Sequence, residues 1–277
     1  MATYIVAVSG GVDSISLLHM LTMTTDHEII VAHFDHGIRD DSAGDAAFVE
    51  ALAKEYGFQF ETLREELGPK ASEETARNRR YVFLRAVAKK YDGRIVTAHH
   101  ADDVVETIAI NFHRGTGWRG LAVLDSDILR PLLLLTKVDL VEYAEQRNLS
   151  WRDDSTNASD RYLRNRLRKS TRDLDSEVKR ELLALRSQQL ETKRLINQGI
   201  AELVGSGPNY SRYFFTHIPS QVAIECLRFV SDAKLTRPQL ERALLAIKTA
   251  SPKSSYQAGS GLTFDFTTRN FSLSLLK

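Results

Sequence analysis

Residues 8–14 read VSGGVDS, set between the apolar runs YIVA (4–7) and ISLLHML (15–21). A buried strand here hands over to a buried helix through two glycines, two serines and an aspartate, residue types that element interiors disfavour. A glycine-rich turn at a helix start leaves backbone N–H groups directed at one spot and adds the positive end of the helix dipole. Such a spot suits a phosphate. Gly10 and Gly11 permit positive φ and close backbone approach, Ser9 and Ser14 can donate hydroxyls, and Asp13 can hold a divalent ion against the phosphates. The competing reading is a tight strand-to-helix turn capped by Ser or Asp. No GKS or GKT follows, and the glycines do not make G-x-G-x-x-G, so neither common nucleotide loop applies.

Outward from this junction, short β-type runs alternate with stretches of helical period. Strands are expected at 4–8, 28–34 (EIIVAHF), 58–63 (FQFETL) and 94–100 (RIVTAHH), with a weaker candidate at 127–133 (DILRPLL). Helices are expected at 13–23, 43–56, 73–91, 102–113 and 136–147. This alternation predicts an α/β fold with a doubly wound, mainly parallel sheet, whose ligands bind beyond the carboxyl ends of the strands. SGGVDS, HFDHGIR (33–39) and HHADDVVET (99–107) all fall at such ends and should share one rim.

From 173 the pattern becomes a long polar helix, ended by the breaker GSGPN (205–209). Helices at 219–231 and 236–248, the latter capped by Thr236, and a hairpin of LTFDF (262–266) and FSLSL (271–275) then predict a small α+β domain. The expected organisation is a catalytic domain over 1–172, a helical connector over 173–209 and a small C-terminal domain over 210–277.

The 277 residues are 43% hydrophobic and 26% charged, as in ordinary globular proteins, and no stretch approaches a membrane span. The opening MATYIVAVSGG has no basic leader or cleavage site, and Cys226 stands alone, so an intramolecular disulfide or a Cys-rich metal site is excluded. A soluble, cytoplasmic protein is the expectation. The formal charge of +1 conceals RYLRNRLRKSTR (161–172), which is basic throughout. It reads either as a solvated helix face or as a contact for a phosphate backbone.

SGGVDS resembles the pyrophosphate-binding loop of the N-type ATP pyrophosphatases. Within that superfamily the chain resembles the tRNA(Ile)-lysidine synthetase family in seven further strings: HFDHGIR, EETARNRRY (73–81), TAHHADDVVET (97–107), RGTG (114–117), RPLL (130–133), DDSTN (153–157) and RNRLR (164–168). They run in family order over about residues 4–170. The resemblance implies an adenine nucleotide alpha hydrolase-like fold. It also implies ATP-dependent replacement of the C2 oxygen of a wobble cytidine by the ε-amine of free L-lysine, on a tRNA(Ile) with a CAU anticodon.

Ser9, Gly10, Gly11, Val12, Asp13 and Ser14 then hold ATP, with Asp13 the ligand of Mg2+, and His33, Phe34 and Asp35 sit where the adenine is held. Arg77, Arg80 and Arg114 surround the α-phosphate and the developing oxyanion. Arg77 and Arg80 read equally as partners of Glu73 and Glu74 on one helix. Asp103 and Glu106, three apart, match the family's lysine-binding acids and are also suited to helix capping. Arg164, Asn165, Arg166 and Arg168 are the tRNA contacts, and a homodimer is the family-based expectation. Trp118 and Trp151 read as stacking partners for an unstacked base or as packing residues.

Two other readings use the same residues. tRNA thiolation shares the loop chemistry but needs catalytic cysteines, and this chain has only Cys226, outside the expected catalytic domain. A metal-dependent phosphoesterase would use the His and Asp residues of HFDH and HHADD as ligands.

Overall fold

The computed structural model describes residues 2–24, 26–37, 42–68, 71–152, 167, 170, 171, 174–205 and 207–275. The chain divides into two compact units, residues 1–189 and 190–277.

In the first unit the order is β1 (Thr3–Ala7), α1 (Val12–Thr24), β2 (Glu28–Asp35), α2 (Ser42–Glu55), β3 (Gln59–Arg64), α3 (Glu73–Lys90), β4 (Arg94–Val96), α4 (Ala101–His113), a 3-10 turn (Trp118–Leu121) and α5 (Lys137–Gln146). The sheet order is β3-β2-β1-β4, and every pairing is parallel. Because successive side chains point to opposite faces, the Val- and Ile-rich strands feed two cores. Val6, Val8, Ile29, Val31 and Val96 pack with Ile15, Leu18, Val49 and Leu140, from α1, α2 and α5. Ile5, Ile30, Ala32, Phe34 and Ile95 pack on the other face with Phe83, Leu84 and Val87 of α3. Helices on both faces make the sheet doubly wound, as the sequence pattern predicts.

The candidate strand at 127–133 is a correction. Leu129 makes one parallel bridge to Val96, through Leu129 N–H to Ile95 O at 2.9 Å and Thr97 N–H to Leu129 O at 3.0 Å. Pro131 has no N–H with which to continue the ladder. β4 likewise stops at Val96 rather than reaching 100, so Thr97–His100 forms a loop at the sheet's carboxyl edge.

Helix α6 (Ser176–Val204) spans the expected connector, and the division between the units falls inside it. The second unit continues with β5 (Asn209–Ser211), α7 (Arg212–His217), α8 (Ser220–Val230), α9 (Arg237–Thr249), β6 (Ser255–Gly259), β7 (Leu262–Phe266) and β8 (Asn270–Leu275). Its antiparallel sheet has the order β5-β8-β7-β6. The hairpin of β7 and β8 and the helices α8 and α9 match the sequence pattern, and Thr236 caps α9 in a capping box with Gln239. β5, β6 and α7 were not expected. Phe215, Phe264 and Phe271 are fully buried in this unit's core, where centroids of Phe264 and Phe271 lie 5.7 Å apart. No helix among the described residues is long and apolar enough to cross a membrane.

Candidate active site

The loop between β1 and α1 is held open by its own side chains. Gly10 has φ +93°, a region that L side chains rarely enter, so the turn requires glycine there. Ser14 Oγ accepts from Ser9 N–H at 3.2 Å and donates to Gly11 O at 2.9 Å, tying both arms of the loop to the first turn of α1. Ser9 Oγ lies 3.3 Å from Ser14 Oγ. The loop is also gripped from far along the chain. Arg152 N–H donates to Gly10 O at 3.0 Å, while its guanidinium pairs with Asp45 at 2.7 Å and reaches Gly44 O at 3.2 Å at the start of α2.

Asp13, in the first turn of α1, faces two other segments. Its Oδ1 accepts from Lys137 Nζ at 2.7 Å, and its Oδ2 lies 3.8 Å from His100 Nε2. His100 is buried at the start of α4 among three carboxylates, with Asp102 Oδ2 at 3.5 Å from Nδ1 and Asp103 Oδ2 at 3.6 Å from Nε2. Burial alone would lower the pKa of His100, but the adjacent carboxylates of Asp102, Asp103 and Asp13 raise it above its ordinary value. Asp102 in turn accepts from Lys179 Nζ at 2.8 Å and from the backbone N–H of Lys137 at 2.7 Å. The nearby His100 ring, with the hydrogen bonds from Lys179 and the Lys137 backbone, holds its carboxyl well below the usual carboxylate range.

The adjacent His99 behaves oppositely. Its Nδ1 pairs with Thr97 Oγ1 at 2.8 Å. Burial pushes its pKa down to about 3, against the pull of Asp103 and with help from Arg130, Arg77 and Arg80. The charges of the α3 arginines are therefore felt at His99, four residues before Asp103. Arg77 and Arg80 flank the Tyr81 ring, their guanidinium carbons 5.1 and 5.5 Å from its centroid.

The other sequence-derived residues fall out unevenly. Asp103 Oδ2 accepts from His100 N–H at 2.9 Å in a capping box, so the capping reading of ADDVVE holds for this residue. Glu106, one turn on, is 2% exposed. His33 sits at the end of β2, but its ring Nδ1 pairs with Val8 O at 2.8 Å and pins two strands together. Phe34 packs against Phe83, and Asp35 accepts from Gly37 N–H at 2.9 Å and pairs with Arg64 at 3.4 Å. Arg114 is the exposed C-cap of α4, roughly 16 Å along the helix axis from Asp103 at 1.5 Å per residue, and is not gathered at that end. Trp151 packs into the core beneath α1, and Trp118 lies under the Arg119 guanidinium at 4.6 Å. Arg164, Asn165, Arg166 and Arg168, with DDSTN, lie outside the described residues.

Sequence reasoning did not single out His100, Asp102, Lys137, Arg152 or Lys179. They meet the loop or its neighbours from four segments, 100–102, 137, 152 and 179. Only the phrase HHADD hinted at two of them.

Residues 2–173 match the model of an ATP-binding family described as the PP-loop domain, and the chain belongs to that family. Among curated proteins it is similar to tRNA(Ile)-lysidine synthase of Bacillus cereus, 42% identical over 187 residues, covering 61% of this chain and 39% of that protein. It is similar also to tRNA(Ile)-lysidine synthase of Persephonella marina, 36% identical over 177 residues, covering 59% of this chain and 39% of that one. The chain thus spans about two fifths of the length of these relatives. The U34-tRNA thiolase NcsA from Methanococcus maripaludis, solved with its [4Fe-4S] cluster, superposes with a TM-score of 0.56 at 18% identity. The match covers 69% of this chain and 72% of that one, and the likeness is one of fold.

Proposed function

We propose that this protein ligates free L-lysine to C2 of the wobble cytidine, position 34, of a CAU-anticodon tRNA(Ile), through an adenylated cytidine, releasing AMP and pyrophosphate. The observation that carries the reading is the meeting of Asp13 in the PP-loop with the α4 start that bears Asp103, in a chain 42% identical to a lysidine synthase over the same region.

In this reading the 9–14 loop receives the pyrophosphate portion of ATP through backbone N–H groups and the Ser9 and Ser14 hydroxyls. Adenine lies against the β2 end at 33–35. Arg77 and Arg80 stabilise charge on the α-phosphate and on the C2 oxygen as it attacks. Asp103 and Glu106 hold the ammonium groups of lysine and take the proton that the attacking amine must lose. Arg164, Asn165, Arg166 and Arg168 contact the RNA, and residues 210–277 add a second tRNA-binding module after a catalytic domain over 1–172 in the chain. A homodimer and a cytoplasmic setting belong to the same reading.

No group of three or more His, Cys, Asp or Glu gathers as metal ligands among the described residues. A single partly exposed carboxylate beside a phosphate loop suits Mg2+, which is held by one or two carboxylates plus substrate phosphates. Asp13 would hold the ion, which would neutralise the departing pyrophosphate. The same donor set counts against a metal-dependent phosphoesterase, since His33, Asp35, His99 and His100 all have other partners. Against thiolation stands Cys226, this chain's only cysteine. It is fully buried in the second unit, and burial pushes its thiol up to about 11.

The test is incubation with ATP, Mg2+, labelled lysine and CAU-anticodon tRNA, separating isoleucine from methionine species. Labelled tRNA(Ile), AMP and pyrophosphate are expected, and the absence of both lysine transfer and pyrophosphate release would end the proposal. Asp13→Ala should remove both steps. Glu106→Gln should keep pyrophosphate release and lower lysine transfer about 100-fold, and equal loss of both would refute that division of roles.

A further inference from the structure

The loop SGGVDS contains no lysine, although a triphosphate split between its α and β phosphates sheds a highly charged leaving group. A cation nevertheless stands at the loop. Lys137, the first residue of α5, donates from Nζ to Asp13 Oδ1 at 2.7 Å across 124 residues of chain. Its side chain is 47% exposed and that of Asp13 is 30% exposed, so the pair faces solvent at the mouth of the loop.

The position of Lys137 is fixed on three sides. Thr136 and Asp139 close a capping box around the start of α5, with Asp139 Oδ2 accepting from Thr136 N–H at 2.7 Å. Asp102 accepts the backbone N–H of Lys137 itself at 2.7 Å, and Lys179 holds Asp102 from the other side. Finally, α5 is bound to α1, the helix that the loop opens. Ser16 Oγ donates to Leu140 O at 3.2 Å, His19 Nδ1 meets Tyr143 Oη at 2.8 Å, and Leu140 is fully buried. These contacts hold the helix start without help from the ammonium group, and an exposed Lys–Asp pair adds little stability of its own. An ammonium has three donors, and the contact with Asp13 uses one.

We propose that Lys137 is the phosphate-binding cation that the loop itself lacks: its ammonium contacts the pyrophosphate end of ATP, held ready by Asp13 and aimed by Asp102 through the α5 start. This rests on the ATP-splitting reading above and adds a residue to it. Asp13 would hold a divalent ion brought with the nucleotide, and the Lys137 ammonium would then be free to donate to the same phosphates. A compact point charge is a good phosphate partner, so the fold supplies from α5 what other nucleotide loops carry in their own sequence.

The test is calorimetric titration of inorganic pyrophosphate and, separately, AMP, each with Mg2+, into the full chain and its Lys137→Met and Lys137→Arg variants. Pyrophosphate affinity should fall about tenfold in Lys137→Met, as expected for one lost charge-assisted contact, while AMP affinity stays within about twofold. Lys137→Arg should recover most of the loss. Unchanged pyrophosphate affinity in Lys137→Met would overturn the proposal, as would an equal loss for AMP, which would mean a collapsed loop. A second measurement needs no variant: pyrophosphate, and not AMP, should slow chemical acylation of Lys137 in the wild-type chain, read by mass spectrometry. Equal labelling with and without pyrophosphate would overturn it too. If the wild-type chain binds no pyrophosphate, the ATP reading falls with this one. If it binds pyrophosphate and transfers lysine while Lys137→Met does both as well, only the role of Lys137 falls.

Discussion

The two units bury very different things. Of the eight buried polar side chains among the described residues, Ser14, Ser16, His33, Asp35, Thr97, His100 and Glu106 lie in the first unit and only Ser231 in the second. Ser231 merely closes a helix end, donating to Arg228 O at 3.1 Å. In the first unit Ser16, His33 and His100 tie together segments distant in sequence, while Ser14 and Thr97 brace the loops at the sheet's carboxyl edge, and each must recover by polar contacts what it loses in hydration. The second unit spends its interior on phenylalanines and leucines, each contributing about 1.5–3 kcal/mol by leaving water. Stability and chemistry are therefore carried by different residues, and substitutions can separate them.

The sharpest separation lies in the aromatic core. Phe264→Ala should destabilise the second unit by about 3–5 kcal/mol, read by denaturant unfolding, while pyrophosphate binding to the first unit persists under native conditions. Parallel loss of binding would dissolve the contrast. Asp102→Ala should cost about 2–3 kcal/mol, less than a fully buried ion pair because both partners keep some exposure, and it should also weaken pyrophosphate binding by loosening the α5 start. A purely structural Asp102 would lower the melting temperature and leave that binding unmoved.

The smallest effect is read in pH. With His99 held neutral down to about 3 against an ordinary value of 6.5, the unfolded chain takes up its proton first as pH falls. Stability therefore drops on acidification below about 6.5, by about 2 kcal/mol between pH 6 and pH 4.5. His99→Gln should flatten that slope. His100 has the opposite sign: its pKa is raised, so its contribution is complete below the ordinary value and fades as pH rises through the raised one. His100→Gln should thus flatten the alkaline side of the profile. Both slopes would be measured from chemical-denaturation midpoints across pH, and an unaltered profile in both variants would remove the electrostatic contrast between these neighbours.

Much of the first unit was legible because the buried strands β1, β2 and β4 are runs rich in Val and Ile, each leading towards a helix of clear period, while the edge strand β3 shows the alternation FQFETL. The starts of β1, β2 and β3 fall within a residue of those expected. The 127–133 run misled because its apolar residues are real core residues, Ile128 and Leu132, on a segment whose proline prevents a ladder. β5 has three residues and β6 carries Gly259 at φ +100°, so neither offered an alternating apolar pattern. At the site, glycine and helix-start chemistry made the loop readable. The partners of Asp13 were not readable, because nothing local ties position 13 to 137 or 100; only the packing of α5 and α4 brings them there. His33 shows the converse: its place at a strand end was right, and its ring is occupied by Val8 O.

The peptide of Arg152 bonded to Gly10 O has a mechanical meaning. The side chain of Arg152 is itself anchored on α2 through Asp45 and Gly44. The glycine turn of the nucleotide loop and the backbone at residue 152 are thus joined by one hydrogen bond. Any reshaping of the loop at Gly10 must either carry residue 152 with it or break this bond, so the loop and the start of α2 behave as an interlock, each limiting the postures open to the other.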